Sequence, residues 1–166
     1  MKRRSLFLIQ LLLLVGLLAT LVTQDGISVQ AQQIRPQITN HTDGQWIKDK
    51  KGWWYKYPDG SFPRNQWQQI NGRYYFFNVN GYMLTGWQEL DGFGYYKERS
   101  WYYFDPENGD MKTGWQNIKG KWYYLDPAEG YMLNGVQQIG ENGECYYFHD
   151  KNGDMQTGWQ QLTRAG

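Results

Sequence analysis

The sequence predicts an all-β fold, an elongated β-hairpin solenoid of about five 20-residue repeats preceded by a signal peptide. Aromatic residues are abundant, with 9 Trp, 14 Tyr and 7 Phe among 166 residues, whereas disordered chains are poor in them. An aromatic triplet recurs about every 20 residues and is followed by a Gly-x-Met-x-x-Gly segment, which is the mark of a repeat architecture. Two-residue turns such as Asn71-Gly72 separate paired strand-like runs, a strong hairpin signal.

The first 31 residues are typical of a secretory signal peptide. Residues 2–4 are basic, residues 6–22 are mostly apolar, and Val29-Gln30-Ala31 offers small residues for cleavage after Ala31. A retained membrane anchor is the alternative, but 17 residues is at the short limit for spanning a bilayer and no basic cluster follows. We therefore expect a secreted protein in which residues 32–43 form a short lead.

Composition excludes several functional classes. The formal charge is only +1, which does not favour a nucleic-acid partner. The single cysteine, Cys145, excludes an intrachain disulfide and is expected to be a small buried filler. With only two histidines and an incomplete calcium-like loop at residues 150–154, no metal and no cofactor are predicted. The acidic residues in the glycine-containing loops are expected to be solvated turn residues.

The repeat array is predicted to cover residues 44–162, followed by a tail of residues 163–166. The aromatic triplets begin at positions 54, 74, 101, 122 and 145, so the steps are 20, 27, 21 and 23 residues. The long step indicates an insertion of about seven residues within 91–100. Each unit is predicted to be one hairpin, and stacked hairpins can bury apolar faces that a lone hairpin leaves exposed.

The two-residue turn at Asn71-Gly72 predicts the register of its hairpin. Trp67 should lie opposite Phe76, and Gln69 opposite Tyr74, so that all four share one face, called here the Trp face. Alternate residues form the other face, called here the Ile face, which is the expected inner seam. The same arithmetic applies about Lys119-Gly120. Members of the two faces in this second copy are Trp115, Asn117, Trp122 and Tyr124, and Gln116, Ile118, Tyr123 and Leu125, respectively.

Two strings carry a family resemblance: WYYFDPENGDMKTGWQNI at 101–118 and GKWYYLDPAEGYMLNGV at 120–136. They resemble the choline-binding, or cell-wall-binding, repeats of Gram-positive surface proteins, and the match covers residues 44–162. The resemblance implies a non-catalytic module, secreted to the cell wall, that binds choline carried by teichoic acids. Glucan-binding repeats of secreted glucosyltransferases and carbohydrate-binding repeats of clostridial toxins are similar. An α-glucan-binding module on the same scaffold is therefore the alternative.

The family's ligand site is an aromatic cage, and the resemblance implies where its walls lie in this chain. Each cage takes the Trp that opens a hairpin, the first triplet residue of that hairpin, the third triplet residue of the next repeat, and a methionine. The paired openers and first triplet residues are Trp46 with Trp54, Trp67 with Tyr74, Trp87 with Trp101, and Trp115 with Trp122. The third triplet residues are Phe76, Tyr103, Tyr124 and Tyr147, and the methionines are Met83, Met111, Met132 and Met155.

The cages are not expected to be equal. Val136 and Cys145 replace both Trp-type positions of the last hairpin, so that cage should be lost. Tyr74 should weaken its cage, and the 14-residue spacing from Trp87 to Trp101 leaves the geometry of that cage open. The regular cage on Trp115 and Trp122 is expected to bind best, and Trp159 to cap the array. Without the resemblance, core packing explains the same tryptophans. A lytic enzyme is not expected, because the repeats use nearly all the mature chain.

Overall fold

The computed structural model describes residues 38–92 and 98–158. Contacts divide the chain into Met1–Ile34 and Arg35–Gly166, and every element below belongs to the second unit. The predicted signal peptide, Trp159 and the tail lie outside the described residues. Within the described ranges, no helix has the length and apolarity needed to cross a membrane.

Five antiparallel hairpins follow one another along the described residues, as predicted. A short strand β1 (Asn40–His41) precedes them and pairs in parallel with Gln69 and Ile70. The hairpins are β2 (Gln45–Lys48) with β3 (Trp53–Lys56), β4 (Gln66–Ile70) with β5 (Arg73–Phe77), β6 (Gly86–Asp91) with β7 (Arg99–Phe104), β8 (Gly114–Ile118) with β9 (Lys121–Leu125), and β10 (Gly135–Ile139) with β11 (Glu144–Phe148). They are called hairpins 1 to 5, and junction n is the contact between hairpin n and the next.

The predicted register of hairpins 2 and 4 is confirmed. Trp67 pairs with Phe76 and Gln69 with Tyr74, while hairpin 4 pairs Trp115 with Tyr124. The turn residues Asn71 and Gly72 have φ values of 49° and 78°. Lys119 and Gly120 repeat this geometry at 52° and 80°. Positive φ at both positions matches the twist of the flanking strands, and this fixes which side chains share a face.

Hairpin 1 differs from the prediction by one residue. Trp46 pairs with Tyr55 and Lys48 with Trp53, so the triplet begins at Trp53 rather than Trp54. The turn is the cause: the Asp49 carboxylate accepts hydrogen bonds from the backbone N–H groups of Lys51 and Gly52 at 2.8 and 3.2 Å. This closes a four-residue turn, and pairing starts at Lys48. Trp54 consequently lies on the opposite face, where its ring contacts Phe62 at 5.5 Å.

The insertion lies at the tip of hairpin 3 and leaves the register below it unchanged. Asp91 pairs with Arg99, and residues 93–97 of the tip are outside the described ranges. Closer to the base, Trp87 pairs with Tyr103 and Glu89 with Trp101. These pairs are equivalent to those of hairpin 4, so the 14-residue spacing from Trp87 to Trp101 brings the two side chains to the regular positions.

Successive hairpins stack front to back. The Ile face is buried, with Ile70, Phe77, Leu125 and Phe148 at 1% exposure or less, which confirms the predicted inner seam. What covers it is the Trp face of the preceding hairpin: Trp67 packs on Tyr102 and Phe104 at ring-centroid distances of 4.9 and 5.5 Å. Each junction therefore joins two unlike faces.

The Gly-x-Met segment fastens each hairpin to the one before it. Its methionine N–H donates to the carbonyl of the first triplet residue of the preceding hairpin. Its side chain lies where a β-carbon on the glycine of the following loop would collide with it; Gly109, for instance, leaves room for Met83. The four backbone bonds are Met83 to Trp53 (2.8 Å), Met111 to Tyr74 (2.8 Å), Met132 to Trp101 (2.7 Å) and Met155 to Trp122 (2.7 Å).

Candidate functional site

Two cavities occur at equivalent places, one at junction 1 and one at junction 3. Their volumes are about 300 and 340 Å³. Both are lined by the opening Trp and first triplet Trp of one hairpin, the second triplet Tyr of the next, and a methionine, together with residues of a later loop. The walls are Trp46, Trp53, Tyr75, Met83, Arg73, Glu107 and Asn108 at junction 1, and Trp87, Trp101, Tyr123, Met132, Lys151 and Asn152 at junction 3.

The aromatic walls meet edge to face and form a box. Trp46 and Tyr75 have ring centroids 5.0 Å apart at an interplanar angle of 62°. Trp87 and Tyr123 repeat this at 4.9 Å and 63°. The remaining Trp wall of the junction 3 cavity, Trp101, is 42% exposed. The box therefore offers aromatic ring surface to a ligand from solvent.

Two kinds of predicted wall residue do not line these cavities. The third triplet residues are predicted to serve as walls across each junction, but each is paired with the opening residue of its own hairpin, as Tyr103 is with Trp87, where the ring centroids lie 5.0 Å apart. The front-to-back stacking is the reason, because it turns the second triplet residue of the next hairpin toward the box. Trp54 likewise gives way to Trp53. The third triplet residues excluded from these boxes are Phe76, Tyr103, Tyr124 and Tyr147.

Junction 4 has the same four kinds of wall. Trp115 lies 6.2 Å from Trp122 and 4.9 Å from Tyr146 between ring centroids. Met155 is bonded to the Trp122 carbonyl, and the Trp122 side chain is 45% exposed.

Junction 2 is filled by the chain itself. Trp67 is only 9% exposed, and its indole N–H donates to the Asp91 carbonyl at 3.0 Å. Ile38, from the lead, packs against the cluster that contains Trp67, as does Leu90, which occupies the position of Ile118 in hairpin 4. The predicted partners Tyr74 and Met111 belong to the same cluster. The aromatic residues that form a box elsewhere are here part of the hydrophobic core.

Hairpin 5 has the fold without the aromatic walls. Val136 pairs with Tyr147 and Cys145 with Gln138, so these two residues occupy the positions of Trp115 and Trp122. Val136 is 59% exposed and Cys145 is also exposed. The expectation that Cys145 is buried is wrong, because its position is the outward-facing one.

Ion pairs lie close to the tyrosine walls of the two cavities. Arg73 lies 3.9 Å from Asp110 near Tyr75, and Lys121 lies 2.9 Å from Asp154 near Tyr123. The hydrogen bond from Lys121 lowers the pKa of Asp154. Burial, then the negative charge of Asp154, raises the pKa of Tyr123, and burial and Asp110 do the same for Tyr75. Both tyrosine walls are neutral at physiological pH.

The acidic residues of the described loops have two roles: Asp110 and Asp154, expected to be solvated, are instead buried and ion-paired, whereas others close turns. Asp105 accepts hydrogen bonds from the backbone N–H groups of Glu107 and Asn108, both at 2.9 Å. Asp126 repeats this with Ala128 and Glu129. Over residues 38–92 and 98–158, no group of three or more His, Cys, Asp or Glu side chains is placed to hold a metal ion.

Comparison with known proteins identifies the repeat. The family model for the choline-binding repeat matches residues 64–113 and 112–159. A curated relative, the lysozyme of Streptococcus phage Cp-1, is 52% identical over 31 residues, which is 19% of this chain and 9% of the lysozyme.

Solved structures share the hairpin array. CbpJ from Streptococcus pneumoniae is 41% identical with a TM-score of 0.61, covering 70% of this chain and 37% of CbpJ. Choline binding protein F from the same species, solved with a peptidoglycan analogue, is 43% identical with a TM-score of 0.62 over 70% of this chain and 35% of that protein. The pneumococcal cell wall endolysin from phage Cp-1, solved with choline, is 37% identical with a TM-score of 0.53 over 68% and 30% of the two chains. This chain therefore spans about a third of each structure.

Proposed function

The chain belongs to the choline-binding repeat family, and we propose that it is a non-catalytic, secreted module that attaches to a Gram-positive cell wall by holding choline groups of teichoic acid. One observation carries the proposal. The same open aromatic box recurs at junctions 1 and 3, and its four aromatic and methionine walls recur at junction 4. The choline complex of the phage Cp-1 endolysin, a structural relative, supports the choice of ligand.

The chemistry of the box suits a quaternary ammonium. Such a group donates no hydrogen bonds, and aromatic ring faces attract it at about 0.5–1 kcal/mol per exposed contact and about 2 kcal/mol when desolvated. Trp87, Trp101 and Tyr123 supply three aromatic walls at junction 3, and Met132 supplies an apolar fourth. Each box is expected to bind weakly, and several boxes on one polymer gain strength from effective concentration.

The geometry favours choline over the alternative α-glucan ligand. A sugar ring stacks on one flat, exposed aromatic face, whereas these rings meet at 62° and 63° and close around a small volume. The loop carboxylates Asp105 and Asp126 accept hydrogen bonds from backbone N–H groups and close turns. This structural use of the two carboxylates supports a binding role over a catalytic one.

Elution from a choline-like matrix tests the proposal. The full chain is loaded on DEAE-cellulose and washed with NaCl, dextran or choline chloride at matched concentrations. We expect millimolar choline to release it and equimolar NaCl to leave it bound, because the matrix ammonium occupies the boxes. Release by NaCl and choline alike would show simple ion exchange and contradict the proposal. Retention on a dextran column with release by dextran would instead support the glucan alternative.

A further inference from the structure

One position of the Trp face differs in charge from hairpin to hairpin. It is the residue that pairs, across the two strands, with the first triplet aromatic. It is Lys48 opposite Trp53, Glu89 opposite Trp101, and Asn117 opposite Trp122. We propose that this position sets the relative affinity of the sites for a cation, and that Lys48 makes junction 1 the weakest by acting as a built-in competitor. The inference rests on the proposed function of the boxes.

Lys48 already occupies a cation–π position. Its Nζ lies 5.4 Å from the centroid of the Trp53 ring, within the range at which an ammonium is attracted to an aromatic face. Trp53 is a wall of the junction 1 cavity. A ligand ammonium that binds on the same ring meets this like charge nearby, and the two repel.

Junction 3 has the opposite charge at the same place. Glu89 lies directly across the strand pair from Trp101, a wall of the second cavity. Arg99 is 3.7 Å from the Glu89 carboxylate, but both side chains are about half exposed or more, so water weakens that pair. The carboxylate is therefore expected to attract a cation bound on Trp101.

The other charged residues near the two cavities do not produce the same difference in charge between junction 1 and junction 3. Arg73 at junction 1 and Lys121 near junction 3 each face an aspartate, Asp110 and Asp154. The loop residues Glu107 and Lys151 have signs that oppose the trend. The loop charges and the strand charges are all exposed and screened by salt, but Lys48 and Glu89 differ in that strand pairing holds their β-carbons about 5 Å from those of the wall tryptophans. We therefore expect the strand position to dominate.

The expected order of choline affinity is junction 3, then junction 4, then junction 1. We place the unit charge about 7–8 Å from the bound ammonium and take an effective dielectric constant between that of a protein surface and that of water. Coulomb's law then gives about a three- to sevenfold change in affinity. In an NMR titration of the full chain with choline chloride, the indole N–H resonance of Trp53 reports binding at junction 1 and that of Trp101 reports binding at junction 3. Variants Trp53→Phe and Trp101→Phe assign the two reporter signals.

The decisive variants are Lys48→Gln and Lys48→Glu, with Lys50→Gln as a matched control. Lys50 is in the exposed turn of the same hairpin, so its replacement changes net charge equally without touching the ring. We expect Lys48→Gln to lower the dissociation constant reported by Trp53 at least threefold, Lys48→Glu to lower it further, and Lys50→Gln to change it less than twofold. Glu89→Gln should weaken the Trp101 site, and 0.5 M NaCl should shrink all of these effects.

Two results would overturn the inference while leaving the proposed function intact: an unchanged Trp53 midpoint in Lys48→Gln, or an equal gain in Lys50→Gln. Absence of any saturable indole shift with choline in the unmodified chain would overturn the proposed function, and this inference with it.

Discussion

Junctions 2 and 3 are built from the same kinds of residue in the same register, yet one is core and the other is a cavity. At junction 2, Ile38 and Leu90 pack against the cluster that contains Trp67, and the Asp91 carbonyl accepts a hydrogen bond from the Trp67 indole N–H. At junction 3, Ile118 occupies the position of Leu90, but no counterpart of Ile38 or of the bond to Asp91 is seen among the described residues, and Trp101 stays 42% exposed. Aromatic identity alone therefore does not define a binding site, because the neighbouring segments decide whether an aromatic box is filled or open.

The largest expected effect that follows from this comparison concerns stability. Trp67→Ala should lower the free energy of unfolding by about 3–5 kcal/mol, because it leaves a cavity in the core and an unpaired Asp91 carbonyl. Trp101→Ala removes a half-exposed ring and should cost about 1 kcal/mol. Urea denaturation of both variants measures the difference. Equal losses would show that junction 2 is not more tightly filled than junction 3.

The second effect is alkaline destabilisation through Tyr102, a fully buried residue of junction 2. Burial, then the charge of Glu129, raises its pKa to about 12, above the unfolded value of about 10. The folded state thus favours the neutral phenol of Tyr102. Its contribution to the free energy of unfolding is fully present below pH 10 and is lost as the pH rises toward 12. The loss amounts to about 3 kcal/mol.

Tyr102→Phe checks this prediction, and Tyr123→Phe at the open junction is its control. The stability of Tyr102→Phe should fall less between pH 9 and pH 12 than that of the unmodified chain, and Tyr123→Phe should give a smaller difference. If the two variants follow the same pH profile, the contrast in burial between the junctions has no energetic consequence.

The third effect concerns binding at junction 4. Trp122→Ala should weaken choline binding at that site by about 1–2 kcal/mol, since it removes the most exposed wall of the box. Cys145→Ala, at the equivalent position of hairpin 5, should leave choline affinity unchanged. Calorimetric titration of both variants, after a thermal melt confirms folding, measures this. A similar loss in both would mean that the Trp face of hairpin 4 is not a binding surface.

The smallest effect is the loss of choline affinity when the methionine wall is displaced, as distinct from the loss of stability caused by backbone strain. Gly109 and Gly120 have φ values of 72° and 80°, so alanine at either should cost about 1 kcal/mol of stability. Only at Gly109 does the added β-carbon collide with Met83, a flexible side chain that must move. Gly109→Ala should therefore weaken choline binding at junction 1 several-fold, measured by the Trp53 indole signal. Equal binding in both variants would show that Met83 is not a working wall.

The sequence predicted the hairpins because the information is local. Asn71-Gly72 and Lys119-Gly120 fix φ and register within a few residues, and the exchange to Val136 and Cys145 is visible in the repeat alignment. Hairpin 1 was misplaced by one residue because its run of two tryptophans and a tyrosine fits two registers. The choice between them depends on two backbone hydrogen bonds to Asp49.

The remaining errors concern contacts between hairpins. Strand alternation tells which residues share a face, but not that the next hairpin presents its other face, so Tyr75 and Tyr123 were missed as walls. A hint was present in the Ile face, which carries a tyrosine in each of hairpins 2 to 5. The filling of junction 2 depends on Ile38, which lies 29 positions before Trp67 and packs against its cluster, and on the Asp91 carbonyl, which lies 24 positions after Trp67. No local pattern announces such contacts.

A crystal structure of the chain soaked in choline tests the central claim most directly. We predict a trimethylammonium group enclosed by Trp46, Trp53 and Tyr75 at junction 1, another enclosed by Trp87, Trp101 and Tyr123 at junction 3, and none against Trp67 at junction 2. Choline bound on Trp67, or on the third triplet residues instead of the second, would contradict the account of open and filled junctions.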